Sequence, residues 1–273
     1  MKLLAQFMDS KIENALNENG FVHIPGFLSV EVVQQFHSLY QSLHTDSRYE
    51  KSMWNSLYDL PEGRGVNTSL QLKEMLARNF TGWLDDFKIP VVTFMVKNPT
   101  SDSNCDLHRD NSAFDENQFE YRNGWIPLLD INDKNGALYV VPKSHRVFDY
   151  CLPMSTEWHY KSMIPELMKH IRVVYAKAGD LVVYKDKMLH GSFPNNSLQP
   201  RPVLHFGMLH PQAETFFYRR DNSSNQVDVF SVKPDFFFEK DFNGALTGKK
   251  PERSFQYNPP ELKIEEVIEK IKS

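Results

Sequence analysis

Cysteine is scarce in this sequence, long apolar runs are missing and positive charge is not in excess; each shortage removes a class of protein. Cys105 and Cys151 are the two cysteines among 273 residues. They make neither a CxxC pair nor a disulfide framework, so the expectation is a reduced, cytoplasmic protein whose thiols are incidental. No stretch approaches the roughly 20 apolar residues of a bilayer-spanning helix. The opening MKLLAQFMDSKIE is interrupted by Asp9 and Lys11 before a signal core can form, and the closing Lys270-Ile271-Lys272-Ser273 is not a peroxisomal address. The formal net charge is -4. Nucleic acids and membrane surfaces are recognised by a basic field, so neither is an expected partner. A small-molecule substrate is expected instead, with a monomer or weak homo-oligomer. Internal repeats and low-complexity linkers are also lacking, and no boundary divides the chain. Residues 1–273 are therefore expected to form one domain, with a core over about 20–212 and a tail, 213–273, that could act as a lid and end in a docked helix.

What the sequence does have is aromatic weight and short β-branched runs. Aromatics make up 13% of the chain, with 20 Phe, which suits side chains packed on pleated sheets. Lys2 to Asn19 reads as a helix stopped by Gly20, and Phe21 to Ile24 as a brief strand. Ser29 caps a helix carrying Val32, Phe36, Leu39 and Leu43 on one face, and a third helix is expected from about Ser69 to Phe87, with Leu72, Met75, Leu76, Phe80 and Trp83 inward. Beyond Pro90 the runs 91–96, 124–131, 137–141, 171–176, 180–185 and 203–209 read as strands. Asn135-Gly136 is a hairpin signal between two of them, and Ala178-Gly179-Asp180 marks a tight turn. Few helices separate these strands, so the expected fold is mainly β: antiparallel strands in a sandwich or barrel behind an N-terminal helical layer. Glu261 to Ile271 carries an apolar stripe of Ile264, Val267, Ile268 and Ile271, read as a docked terminal helix in preference to an oligomer contact.

The chemistry starts at Leu107-His108-Arg109-Asp110. On extended backbone, positions i and i+2 share a face, so His108 and Asp110 can chelate one metal. His190, far along the chain beside another strand, supplies a second imidazole. Two His and one carboxylate leave open positions on a metal, an arrangement suited to Fe(II) and O₂. Arg201 opens a strand beyond His190 and can hold a carboxylate through two N–H groups, with the Ser192 hydroxyl as a further donor. The same letters, His108-Arg109-Asp110, also spell a protein-kinase catalytic motif. That motif needs Asn where Asp115 stands, and neither a glycine-rich loop nor a VAIK-type lysine is present, so the kinase reading is rejected.

Taken together, HxD, NGALYVVPKSH (135–145) and HGSFPNNSLQPR (190–201), preceded by GFVHIPGFLS (20–29), resemble the phytanoyl-CoA dioxygenase family of 2-oxoglutarate oxygenases across roughly residues 20 to 210. The resemblance implies a double-stranded β-helix, the jelly-roll or cupin-like fold. It implies Fe(II) at His108, Asp110 and His190, with 2-oxoglutarate as cosubstrate on Arg201 and Ser192. It also places Trp125 and Met95 beside that cosubstrate. The activity implied is hydroxylation of a small metabolite with release of succinate and CO₂. Halogenating relatives replace the metal carboxylate with a small residue; here Asp110 is retained. Two rivals share the fold: a catalytically silent ligand-binding relative, and a metal enzyme that does not use 2-oxoglutarate. Retention of the whole triad argues against the first, and Arg201 with Ser192 against the second. His205 shares strand parity with Arg201 and reads equally as a packed core residue or a substrate contact. His145 reads as structural, and Phe236-Phe237-Phe238 as core or lid packing.

Overall fold

A computed structural model describes residues 6–43, 51–61, 63–154 and 156–273. In chain order the elements are β1 (Gln6–Phe7), α1 (Ser10–Asn19), β2 (Phe21–Ile24), α2 (Val30–Leu43), β3 (Met53–Asn55), α3 (Arg64–Ala77), β4 (Leu84–Asp85), β5 (Val92–Lys97), β6 (Cys105–His108), β7 (Arg122–Pro127) and β8 (Leu138–Val140). There follow α4 (Ile164–Leu167), β9 (Arg172–Val174), β10 (Leu181–Lys185), β11 (His190–Ser192), β12 (Arg201–Met208), β13 (Thr215–Arg220), β14 (Gln226–Val232), α5 (Phe242–Ala245), β15 (Arg253–Gln256) and α6 (Ile264–Lys272).

Two antiparallel sheets form the body, ordered β2-β10-β7-β12-β5-β3 and β6-β11-β8-β9. Both are open, and together they make the jelly roll. Period-two alternation decides what each face of the large sheet does. Val92, Phe94 and Val96 on β5 and Leu204, Phe206 and Met208 on β12 join a core with Phe36 of α2 and Leu72 and Leu76 of α3. The alternate residues Trp125, Val182, Tyr184 and Val203 meet Leu138 and Val140 of the small sheet in the space between the sheets. Every strand of the large sheet's centre is thus covered on both faces, which is why these runs read as almost continuously apolar.

Three expectations shift. The first helix starts at Ser10, because the Asp9 side chain accepts from the Lys11 amide and caps it there; the expected residues 2–5 lie outside the described residues. Its end at Gly20 stands: φ is +82°, and a Cβ there would lie 2.3 Å from His145 Nδ1. The third helix runs over Arg64–Ala77 and gives way to a 3₁₀ turn and β4, so Phe80 and Trp83 pack from a turn instead of a helical face. Asn135-Gly136 does form a turn, with Gly136 at φ +81°. It does not close a hairpin, because β7 belongs to the large sheet and β8 to the small one.

The tail folds into a third sheet, β13-β14-β15, whose alternation the sequence reading passed over. The α6 residues Val267 and Ile271 are buried in a cluster with Phe148, Tyr160 and Leu189 on the outer side of the small sheet. Among the described residues, no helix is long and apolar enough to cross a membrane.

Candidate functional site

His108 ends β6 and His190 begins β11, and the two are direct cross-strand partners. The pairing register shifts between His190 and Ser192, which lets the short strand bend at this point. Asp110 follows His108 by two residues as the chain leaves the strand. Its Oδ1 lies 3.7 Å from His108 Nε2 and 3.8 Å from His190 Nε2. One ligand atom from each residue falls within 4.8 Å of the others, close enough to share a single metal ion.

The second contacts of each ligand fix which atom faces inward. His108 Nδ1 is 2.8 Å from the Asp106 carbonyl, and His190 Nδ1 is 3.0 Å from the Met188 carbonyl. A carbonyl only accepts, so each Nδ1 carries a proton and each Nε2 is left facing Asp110. Asn123 Nδ2 donates to Asp110 Oδ2 at 2.8 Å, which leaves Oδ1 free. Burial raises the Asp110 carboxyl, but His190, His108, His205 and Asn123 outweigh it and hold it below the usual carboxylate range. Burial lowers His190 to about 4 against the pull of Asp110.

Arg109 points away from the ligands. Its guanidinium donates to Glu116 at 2.9 Å and to the carbonyls of Phe148 and Tyr150. Ser112 Oγ also donates to Glu116, so the loop after Asp110 is pinned from beneath.

The opposite wall of the site is the large sheet. Arg201 on β12 pairs directly with Lys97 on β5, and both are almost completely buried. Lys97 Nζ donates to the carbonyls of Ser192 (3.1 Å) and Phe193 (2.7 Å). Among the described residues neither cation has a carboxylate partner, and Arg201 Nε has no hydrogen-bond partner at all. Burial, then the neighbouring Arg201, lowers Lys97 to about 7; burial lowers Arg201 to about 10. The Arg201 guanidinium carbon sits 5.7 Å from the centre of the Trp125 ring.

His108, Asp110, His190, Ser192, Arg201, Trp125 and Met95 all line one cavity of about 90 Å³, with Lys97 and His205 among them. His205 therefore faces inward, 3.2 Å from the Tyr184 hydroxyl. His145 lies in the 3₁₀ turn Ser144–Arg146, away from this cavity. A second cavity of about 490 Å³ shares Met95, Asp110 and His205 and opens toward the tail, where Phe237 and Phe242 form part of its wall. Phe236 packs instead with Phe217 and Phe230.

Lys97, Asn123, Tyr121 and Asp186 line these cavities without having been singled out from the sequence. Parity could have found Lys97, since Met95 and Lys97 stand two apart on one strand and face the same way.

The Fe3+- and alpha-ketoglutarate-bound epimerase SnoN, crystallised with nogalamycin RO, is similar at 17% identity over 92% of this chain and 95% of its own, with a TM-score of 0.56. The carbocyclase SnoK from nogalamycin biosynthesis is similar at 17% identity over 97% of this chain and 98% of its own, with a TM-score of 0.58. HygX from Streptomyces hygroscopicus, with nickel and 2-oxoglutarate bound, is similar at 18% identity over 80% of this chain and 92% of its own, with a TM-score of 0.54. At these identities the likeness speaks for the fold. No curated protein matches the sequence. A sequence profile of phytanoyl-CoA dioxygenase (PhyH) matches residues 16–203, more than half of the chain, and the chain belongs to that family.

Proposed function

We propose that this protein is a non-haem Fe(II)- and 2-oxoglutarate-dependent oxygenase acting on a small organic molecule. The observation that carries the reading is the pair of buried cations, Arg201 and Lys97, left without a carboxylate on the wall facing two imidazoles and a carboxylate. Burying a cation without a counter-charge is costly, so a wall of this kind fits a carboxylate brought by a ligand. The unpaired Arg201 Nε and the donor set of His108, Asp110 and His190 suit the cosubstrate and the metal respectively. SnoN and HygX hold a metal and the same oxo acid on this fold.

His108, Asp110 and His190 would hold Fe(II). Arg201, with Lys97 and the Ser192 hydroxyl, would hold the far carboxylate of 2-oxoglutarate, and Trp125 and Met95 would wall the cosubstrate. Bound together, the metal and cosubstrate supply O₂ activation and hydrogen abstraction from substrate, with succinate and CO₂ released. The chain's own part is to fix the two Nε2 lone pairs, keep Asp110 ionised through Asn123, and exclude water behind Trp125 and Tyr184. Asp110 occupies the position that a halide would need, so the expected outcome is hydroxylation or another oxidation begun by hydrogen abstraction, such as desaturation, epimerisation or ring closure, and not halogenation. Phe237 and Phe242 would make the tail part of a lid over the larger cavity.

The test is anaerobic addition of Fe(II) and then 2-oxoglutarate, reading the charge-transfer absorption of the chelate, followed by succinate release in air. Absence of both would overturn the reading. Once a product is known, a mass gain of one oxygen supports hydroxylation, and a gain of one chlorine in saturating chloride counts against it.

A further inference from the structure

The larger cavity contains a carboxyl group with no hydrogen-bond or ion-pair partner among the described residues. Asp186 follows β10 and lines the cavity with only 7% of its surface exposed. Its backbone N–H donates to the Tyr121 carbonyl, but among the described residues its carboxyl oxygens receive no hydrogen bond. The nearby cations are already committed. Arg109 donates to Glu116, and Lys187 contacts Glu116 at 3.1 Å and Asp149. Glu120, which also faces this region, is paired with Arg122 and Lys185. Among the described residues neither Arg109 nor Lys187 forms an ion pair with Asp186; both are engaged by Glu116.

The cavity itself supplies no remedy. Its lining includes neither Lys nor Arg. Phe114, Tyr121, Phe237 and Phe242 line the same space, together with the polar Asn111, Asn123 and His205 and the metal-site Asp110, and the Tyr121 hydroxyl forms no hydrogen bond among the described residues. A volume of about 490 Å³ is that of a small-molecule site. Thioesters of acidic carriers and phosphate esters would bring negative charge to a wall that has none to answer it. A cationic nitrogen would meet a buried carboxylate and aromatic faces, both favourable to it.

We propose that this cavity binds a compact organic amine, its protonated nitrogen paired with Asp186 and its apolar body against Phe114, Phe237 and Phe242. Burial, with Glu116 adding to it, raises the Asp186 carboxyl above the usual carboxylate range, a mark of how poorly its charge is compensated without a ligand. That the bound amine is the molecule oxidised rests on the oxygenase reading; that it binds here does not.

Calorimetry on the metal-free protein tests the site with matched probes: phenethylamine, phenethyl alcohol and hydrocinnamate, then tryptamine and tryptophol. A charge-assisted hydrogen bond contributes about 1.5–3 kcal/mol, so each amine should bind at least about tenfold tighter than its alcohol. Hydrocinnamate should bind weakest. Asp186→Asn, checked for folding by circular dichroism, should erase the amine preference while leaving alcohol binding unchanged. Equal affinity of amine and alcohol in the unaltered protein overturns the proposal, as does failure of every amine to bind or an amine preference that survives Asp186→Asn. If the preference holds but Fe(II) and 2-oxoglutarate give neither charge-transfer absorption nor succinate release, the oxygenase reading falls and the amine site stands.

Discussion

The six-stranded sheet delivers its site residues from regular strands, whereas the four-stranded sheet delivers its ligands from strand ends and a break in register. Lys97, Met95, Trp125, Arg201 and His205 come from β5, β7 and β12, whose pairing is unbroken along the site. Their side chains point into the cavity because strand parity leaves them no alternative. His108 is the last residue of β6, His190 the first of β11, and Asp110 lies beyond the strand. The difference follows from what each wall must do. Holding a carboxylate asks for cations at fixed spacing, which a ladder provides. Converging three atoms on one point asks the backbone to turn, which a ladder resists, so these ligands sit where the ladder ends.

If the small sheet's only task in catalysis is to present ligands, His190→Ala should remove Fe(II)-dependent succinate release to background while circular dichroism and melting temperature stay close to those of the parent. Substantial turnover in this variant would mean that the metal sits elsewhere. On the large sheet the effect should be graded. Arg201→Ala should raise the 2-oxoglutarate KM ten- to a hundredfold, from the loss of a buried charge-assisted contact of about 1.5–3 kcal/mol, with Fe(II) affinity little changed. Equal damage to metal and cosubstrate affinity would blur the division between the walls.

The large sheet also has an edge restraint of its own. Asp180 accepts from the Gly26 amide at 2.7 Å and the Lys177 amide at 2.8 Å, and its Oδ2 lies 2.8 Å from His23 Nε2. Burial raises its carboxyl, but these partners together hold it below the usual range. A carboxyl depressed on folding adds stability that is complete above its unfolded value, about 4, and fades as pH falls through the folded one. Asp180→Asn should therefore cost about 1–3 kcal/mol in urea unfolding at neutral pH, and the gap between variant and parent should narrow below about pH 4. A gap independent of pH would show that the charge is not involved. The smallest effect concerns the tail. The Tyr58 hydroxyl donates to the Phe237 carbonyl at 2.8 Å, so Tyr58→Phe should cost about 0.5–1.5 kcal/mol. Faster amide exchange around residues 234–245, with protection of β5 and β12 unaltered, would locate that loss in the tail.

Much of this could be seen in the letters. Runs such as VVTFMV and VLHFGML announce strands because both of their faces are buried, and HxD with a distant HGS marks ligands that parity can bring together. Other features were hidden for identifiable reasons. A lysine at the end of an apolar strand reads as a solvated terminus, yet Lys97 is buried. Asp186 sits in YKDKM, where flanking lysines suggest a surface turn; those lysines in fact point to Glu120 and Glu116. Asn135-Gly136 marks a turn but does not say which sheet receives the next strand. In the tail, TFFYRR and QVDVFSV pair through β13 and β14, yet no motif ties them to the site.

The family profile ends at residue 203, while the wall of the larger cavity continues to Phe242. The part of the chain that defines its kinship therefore carries much of that wall, Asp186 included, and stops short of Phe237 and Phe242, which complete it. A lineage could exchange one tail for another, refitting the loop around Tyr58 that receives it, and inherit the same reactive centre with a new guest. On that view kinship would report which oxidant is made, and the unmatched tail would report what it is spent on.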